Sequence, residues 1–275
     1  MLFRSAVRSM VRLVGDVRRA RYDLVIDLHS LSESNLLGYL SGAPARVFAQ
    51  RGGRSLDFLA TIRTPWEDRD KHQVDRYLDV LTPLGIAGAP RVPHLRTRRE
   101  DDEAVQRMLQ ERDAAGGPPL AGLFPGAGQP LRRWPLERFA EVASRLEKND
   151  SARVVLFLGP EEEAMARQVR AAFSSSAVVL EGLTLSQLAS AAARLALLIS
   201  NDTGPMHLAA AVGTPVLLLL GAPVRGAYRF GPVGEHHRTI SRPTLLQIAA
   251  AEVYGLARSM MHTPAGNPQR LAQNA

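Results

Sequence analysis

The stretch LALLISNDTGPMHLAAAVGTPVLLLLG (195–221) decides the fold. An apolar run stops at Asn201-Asp202-Thr203-Gly204-Pro205, residues that resist regular structure. A lightly built alanine segment follows, and then a second apolar run, TPVLLLLG (214–221). Short continuous apolar runs are the pattern of strands buried on both faces of a parallel sheet. The alanines between them form a helix able to lie close against that sheet. Asp202 or Thr203 suits the helix cap, Gly204 permits close backbone approach, and Pro205 suits the first helical position. The free N–H groups and the positive end of the helix dipole make this loop an anion site. Read alone, simple capping explains it equally well.

Working outward, the alternation is regular from residue 119. PLAGLF (119–124) reads as a strand, PLERFAEVASRLEK (135–148) as a helix and ARVVLFLG (152–159) as a strand. EEEAMARQVRAAF (161–173) reads as a helix, AVVLEG (177–182) as a strand and LSQLASAAAR (185–194) as a helix. LLQIAAAEVYGLARSMM (245–261) is the last helix. Repeated β-α-β-α with apolar strands predicts an α/β fold with a doubly wound parallel sheet, whose ligands sit in the loops at the carboxyl ends of the strands. Two further loops of that kind carry chemistry. PGAGQPLRRWP (125–135) holds glycines and the adjacent Arg132 and Arg133, suited to backbone and bidentate contacts with phosphate. GPEEE (159–163) clusters carboxylates that suit ribose hydroxyls or, as simply, the start of a helix.

Upstream, Val7, Met10, Val11, Val14 and Val17 recur at helical spacing with Arg4, Arg8, Arg12 and Arg18 between them, an amphipathic helix with a basic face. Its polar face is either solvated or a surface for anionic lipid. YDLVIDL (22–28) and ARVFA (45–49) read as strands, NLLGYL (35–40) as helical, and KHQVDRYLDVLTPLGI (71–86) as a helix stopped by Pro83 and Gly85. AGAPRVPHLRTRRE (87–100) reads as a linker. The expected domains are a first unit with linker over 1–100, a second over 101–262, and a disordered tail over 263–275.

The chain has 275 residues, no cysteine and a formal net charge of +7, with the arginines spread along its length. Disulfides, thiolate metal sites and cysteine nucleophiles are excluded. The charge favours anionic partners. Few aromatic residues and no base-stacking motif argue against nucleic acid. No apolar stretch is long enough to cross a bilayer and no secretory signal is read at the N-terminus, so the chain is expected to be cytoplasmic, with peripheral contact at the inner membrane as an extension.

The segment DTGPMHLAAAVGTPVLLLLG, with PGAG…RRWPLERFAEVASRL and LGPEEE before it, resembles glycosyltransferase family 9, which includes the ADP-heptose:lipopolysaccharide heptosyltransferases. RARYDLVIDLHSL and HQVDRYLDVLTPLGI extend the resemblance over most of residues 15–260. It implies a GT-B architecture of two Rossmann-like lobes, the N-terminal one incomplete. It further implies a nucleotide-sugar donor, no metal and no cofactor, and inversion at the anomeric carbon. By motif, Asp202, Thr203 and Gly204 would hold donor sugar and diphosphate with His207 nearby. Arg132, where the family usually has lysine, would neutralise the leaving diphosphate beside Arg133, and Glu162 would meet the ribose.

One part of the pattern is broken. The family's base is an aspartate in a Gly-Asp motif after the first strand, with several elements before the equivalent of YDLVIDL. Here only four residues separate Gly15-Asp16-Val17 from Tyr22, and the arginine periodicity makes that segment helical. The expected base is therefore missing, and Asp27 and His29 are the candidate substitutes. Asp68-Arg69-Asp70 matches a metal-binding Asp-x-Asp but sits in a charged run read as a solvated loop, and His72 reads as structural. The expected activity is transfer of a heptose from ADP-heptose to a lipopolysaccharide core or other anionic glycan acceptor. The alternatives are a non-catalytic nucleotide-sugar-binding remnant and a dinucleotide oxidoreductase. Against the last stands the lack of a Gly-x-Gly-x-x-Gly turn after any strand.

Overall fold

The computed structural model describes residues 2–53, 55–159, 166–174, 176–221 and 229–262. The chain divides into two compact units, Met1–Arg91 and Val92–Ala275.

The first unit runs α1 (Leu2–Arg19), β1 (Leu24–Asp27), α2 (Ser32–Leu40), β2 (Ala45–Gln50), β3 (Ile62–Trp66) and α3 (Gln73–Asp79). Its three strands form a parallel sheet in the order β1-β2-β3, with Leu24 opposite Ala45 and Val47 opposite Ile62. A small core of Val47, Ala49 and Val80 lies beneath. Gly38 on α2 is there for space: a Cβ would come within 2.8 Å of the Phe48 ring, so only glycine lets the helix approach β2 this closely. Glu67, just past β3 with its side chain only 7% exposed, binds both Arg51, just past β2, and Arg76 on α3, and Arg51 also donates to the Leu28 carbonyl after β1. One carboxylate thus ties together the carboxyl ends of all three strands.

The second unit runs α4 (Arg99–Gln110), β4 (Leu120–Phe124), α5 (Leu136–Asp150), β5 (Arg153–Leu158), α6 (Ala166–Ala172), β6 (Val178–Glu181), α7 (Leu185–Ala192), β7 (Leu197–Asn201), α8 (Gly204–Ala211), β8 (Val216–Gly221), β9 (Arg238–Arg242) and α9 (Ala250–His262). Its strands form one six-stranded sheet in the order β6-β5-β4-β7-β8-β9, parallel throughout. Successive strand residues enter opposite cores, as the period of two requires. Leu197 and Ile199 join Phe139 and Leu146 of α5 and Val253 of α9 on one face. Leu198 joins Leu109 of α4, Ala189 of α7 and Met206 of α8 on the other. Ala209 and Ala210 are buried, so the light helix α8 does lie flat on the sheet. It ends on Gly213, whose φ of 85° supplies the left-handed turn that closes helix carbonyls.

Three elements were not anticipated. β3 contains Pro65 and Arg63 and is an edge strand, where a missing N–H is tolerated. α4 begins inside the stretch read as linker; Glu100, Asp101 and Asp102 in its first turn suit a helix N-terminus. β9 buries only Ile240, and so carries no apolar run to mark it. The expected helix over 71–86 is shorter. His72 caps its start by accepting from the Val74 N–H at 3.1 Å, and Thr82–Leu84 forms a separate 3-10 turn around Pro83. The last helix starts at Ala250, because Leu245–Gln247 is likewise a 3-10 turn. Gly15-Asp16-Val17 lies inside α1, as its periodicity predicts.

Candidate functional site

The order of the second sheet fixes where a ligand can sit. From β4 the chain winds outward through β5 to β6, then crosses back to β7 beside β4 and winds outward the other way. The loops after β4 and β7 therefore diverge at the topological switch point, which is where open parallel sheets take their ligands. These are the loops PGAGQPLRRWP and NDTGP.

Asn201, the last residue of β7, joins them. It is fully buried; its Oδ1 accepts from the Trp134 N–H at 3.0 Å, and its Nδ2 donates to the carbonyls of Pro125 at 2.9 Å and Gly126 at 3.3 Å. Trp134 is held a second time through its indole N–H, which donates to the Ile248 carbonyl at 3.1 Å, and its ring stands edge-on to Phe139. Arg133 turns back into its own loop, where Nε donates to the Ala127 carbonyl at 2.8 Å. A buried frame thus fixes the backbone that carries Arg132. Sequence reading missed Asn201 as a separate residue, although its place at the end of an apolar run was the available signal.

On this frame the exposed Arg132 reaches Asp202, with Nη1 3.5 Å from Oδ2. Thr203 occupies the N-cap of α8 but makes no side-chain capping bond there. Its hydroxyl lies 3.2 Å from Ser200 Oγ instead. Capping alone therefore does not explain Thr203. Pro205 takes the second helical position rather than the first, after Gly204. Among the described residues, nothing lies within 4 Å of a Cβ placed on Gly204, so they leave space open above the first turn. His207 is exposed on the same helix, one turn further on. The structure thus brings Arg132, Asp202, Thr203 and Gly204 to one place and turns Arg133 to support. Glu162 lies outside the described residues.

Asp27 and His29 belong to the first unit. Asp27 Oδ1 accepts from the N–H groups of His29 at 3.0 Å and Ser30 at 2.7 Å, while Oδ2 accepts from Ser34 Oγ at 2.6 Å and Asn35 Nδ2 at 2.8 Å. That network holds the loop after β1, including Ser30 at a φ of 49°. His29 is exposed at its tip. Asp68 and Asp70 form an exposed turn in which the Asp70 N–H donates to Asp68. Among the described residues, no group of three His, Cys, Asp or Glu side chains is placed to hold a metal ion.

The profile of glycosyltransferase family 9 (heptosyltransferase) matches residues 10–249. The chain belongs to glycosyltransferase family 9. Among family relatives, lipopolysaccharide heptosyltransferase 2 of Salmonella typhimurium is 29% identical over 220 residues, covering 76% of this chain and 63% of that protein. The chain thus spans less than two thirds of the length of this relative. A solved family 9 glycosyl transferase of Veillonella parvula superposes with a TM-score of 0.82 at 24% identity, over 92% of this chain and 78% of that one. An Escherichia coli heptosyltransferase solved with ADP-2-deoxy-2-fluoro heptose superposes with a TM-score of 0.65 at 22% identity, over 88% and 75%. The family 9 fold of this chain is GT-B-like, α/β with parallel sheets, its second unit a Rossmann-like lobe.

Proposed function

We propose that the second unit binds a nucleotide sugar, ADP-heptose, and that the protein transfers its heptose with inversion to a lipopolysaccharide core or another anionic glycan acceptor. The observation that carries this reading is the pairing of Arg132 with Asp202 over the open first turn of α8, at the switch point of the sheet. An ion pair this exposed contributes little, about 0–1 kcal/mol, so an arriving diphosphate displaces it readily. The guanidinium then takes the phosphate oxygens together with the N–H groups of α8. Asp202 and Thr203 are left to hold sugar hydroxyls, with His207 beside them and Glu162 at the ribose.

In the reaction the acceptor oxygen forms a bond to the anomeric carbon as the bond from that carbon to the diphosphate oxygen breaks. Charge develops on the leaving diphosphate. Arg132 and the helix end stabilise it there, and no metal is required by the proposal. The acceptor hydroxyl loses its proton to a base. All the acceptor positions of the Asp27 carboxylate are engaged by its own loop, which favours His29 for that role. In this reading the first unit with its linker serves the acceptor, at the cytoplasmic face of the inner membrane. The relative named for lipopolysaccharide heptose transfer and the structure solved with an ADP-heptose analogue support the choice of donor.

Calorimetric titration with ADP, ADP-heptose and UDP-sugars tests the donor. Binding of ADP-heptose in preference to UDP-sugars, lost in Asp202→Ala, is expected. A folded protein that binds none of them removes the transferase reading. For the base, His29→Ala is expected to keep donor binding and lose transfer; unchanged transfer excludes His29.

A further inference from the structure

The helix α1 (Leu2–Arg19) differs from every other amphipathic helix described. At 100° per residue, Met10, Val11, Leu13, Val14 and Val17 fall on one half of its circumference. Arg8, Arg12 and Arg19 fall on the other half, with Arg18 at the margin and Asp16, paired with Arg19 at 2.6 Å, as the only acid of the helix. The polar face is therefore of one sign. The comparable helix α5 mixes Arg138, Arg145 and Lys148 with Glu137, Glu141 and Glu147, and buries its apolar stripe completely at Phe139 and Leu146. In α1, by contrast, Val14 and Val17 are half-buried while Met10, Val11 and Leu13 are 56%, 67% and 44% exposed.

A solvated helix gains nothing from exposing that stripe, and a helix packed on protein gains nothing from a polar face of one charge. Both features have one explanation at a bilayer surface. There the apolar half sinks into the boundary between headgroups and acyl chains, and the arginines meet lipid phosphates. No described helix is long and apolar enough to cross a membrane, so the contact is one of lying on the surface.

We propose that α1 seats the protein on an anionic membrane surface, with Met10, Val11 and Leu13 inserted and Arg8, Arg12 and Arg19 on the phosphates. This gives a physical device to the membrane setting proposed for the acceptor, but it stands on α1 and not on the donor site.

Co-sedimentation of the whole chain with vesicles of phosphatidylglycerol and phosphatidylethanolamine, against vesicles of phosphatidylcholine, tests it. Binding to the anionic vesicles alone is expected, weakened by added salt. Each arginine near such a surface is worth about fivefold in partitioning, so Arg8→Gln with Arg12→Gln should weaken binding about 25-fold. Met10→Asp with Val11→Asp should weaken it at least about tenfold. Circular dichroism and the emission of buried Trp134 verify that the variants fold. Equal binding to both vesicles, no binding, or indifference to both pairs of substitutions overturns the proposal. So does a concentration-dependent dimer abolished by Val11→Asp without vesicle binding, which assigns the face to a second copy. ADP titration of the same variants keeps this test separate: they should bind ADP as the parent does, and a parent that binds vesicles but no nucleotide sinks only the donor reading.

Discussion

β7 and β1 end alike and serve different purposes. Each is a parallel strand whose last residue is polar and buried, Asn201 in one and Asp27 in the other, and each leads into a helix through a short loop. Asn201 spends its side chain on distant partners, 67 and 76 residues away along the chain. Asp27 spends its side chain within the next eight residues. The difference follows from the strands' positions. β7 lies inside the six-stranded sheet with β4 on one side and β8 on the other, and every one of its residues is buried. β1 is an edge strand whose Leu24 and Ile26 are exposed. An interior strand can recruit its neighbours' loops into one rigid site, whereas an edge strand must brace its own loop. A polar residue at a strand end is therefore not by itself a chemical group. In both units it is the buried brace, and in the proposed function the chemistry falls to what the brace holds out.

The sharpest test of that contrast is Asn201→Ala. It leaves the Trp134 N–H and the Pro125 carbonyl without partners in a buried place, a loss of about 3–4 kcal/mol. The two tryptophans separate the units spectroscopically. Trp134 is buried in the second unit and Trp66 is 68% exposed in the first, so Trp66→Phe leaves the emission of Trp134 alone. In that background Asn201→Ala should lower the denaturant midpoint read by Trp134 and abolish nucleotide binding together. Nucleotide binding retained in a destabilised protein would mean that the two loops need no shared brace. Asp27→Asn comes next. It removes the charge and places an amide N–H₂ where donors converge, costing about 2 kcal/mol, read by Trp66 in a Trp134→Phe background, and Asp27→Asn made alone should leave ADP binding unchanged. Unchanged stability with lost transfer would instead make Asp27 the base.

Much of the second unit was legible in sequence because its strands are apolar throughout and its loops carry glycine and proline at the turns. PGAG and NDTGP mark both loops at the switch point, and the resemblance to family 9 rests on them. Their adjacency was not legible, because strand order is a property of the whole sheet and no residue in β4 records that β7 lies beside it. By residue type Arg132 and Arg133 looked equivalent and only the resemblance singled out Arg132; it is the turn at Pro130–Arg132 that directs one outward and the other inward. α4, β3 and β9 were hidden because charge, proline or edge position masks the apolar period on which sequence reading depends.

The second unit also carries an acid-sensitive point. His237, just before β9, is pushed down to about 4, chiefly by burial and further by the charges of His236 and Arg238, against a hydrogen bond with Val233. Its Nδ1 accepts the Val216 N–H at the start of β8 at 3.2 Å, so the folded state needs the neutral ring. Between pH 6.5 and 4 the unfolded chain binds this proton and the folded chain does not. The stabilisation is thus complete above pH 6.5 and is lost as pH falls toward 4. The full shift corresponds to about 3 kcal/mol, and the partial exposure of the ring reduces this to about 1–2 kcal/mol. Urea unfolding followed through Trp134 should show that slope. In His237→Asn, whose side-chain oxygen can take the Val216 N–H without titrating, the slope should flatten over this range. A slope that persists in the variant would place the titrating group elsewhere.

Gly204→Ala is expected to change stability least and to be the most informative about what the brace holds out. No atom of the described residues lies within 4 Å of the added Cβ, and Gly204 does not occupy a left-handed conformation. As the first residue of α8 it gives alanine a conformation alanine favours, so folding stability should rise slightly or stay within about 0.5 kcal/mol of the parent. If a diphosphate rests on the N–H groups of this turn, the same methyl group stands where the phosphate must approach, and ADP affinity should fall about tenfold, a difference near 1.4 kcal/mol. The two readings separate cleanly in one variant. A glycine kept for the fold would lose stability on substitution, and a glycine kept for a ligand would lose only binding. Unchanged ADP affinity in Gly204→Ala would move the phosphate off α8 and onto the loop after β4, where Arg132 would have to hold it alone.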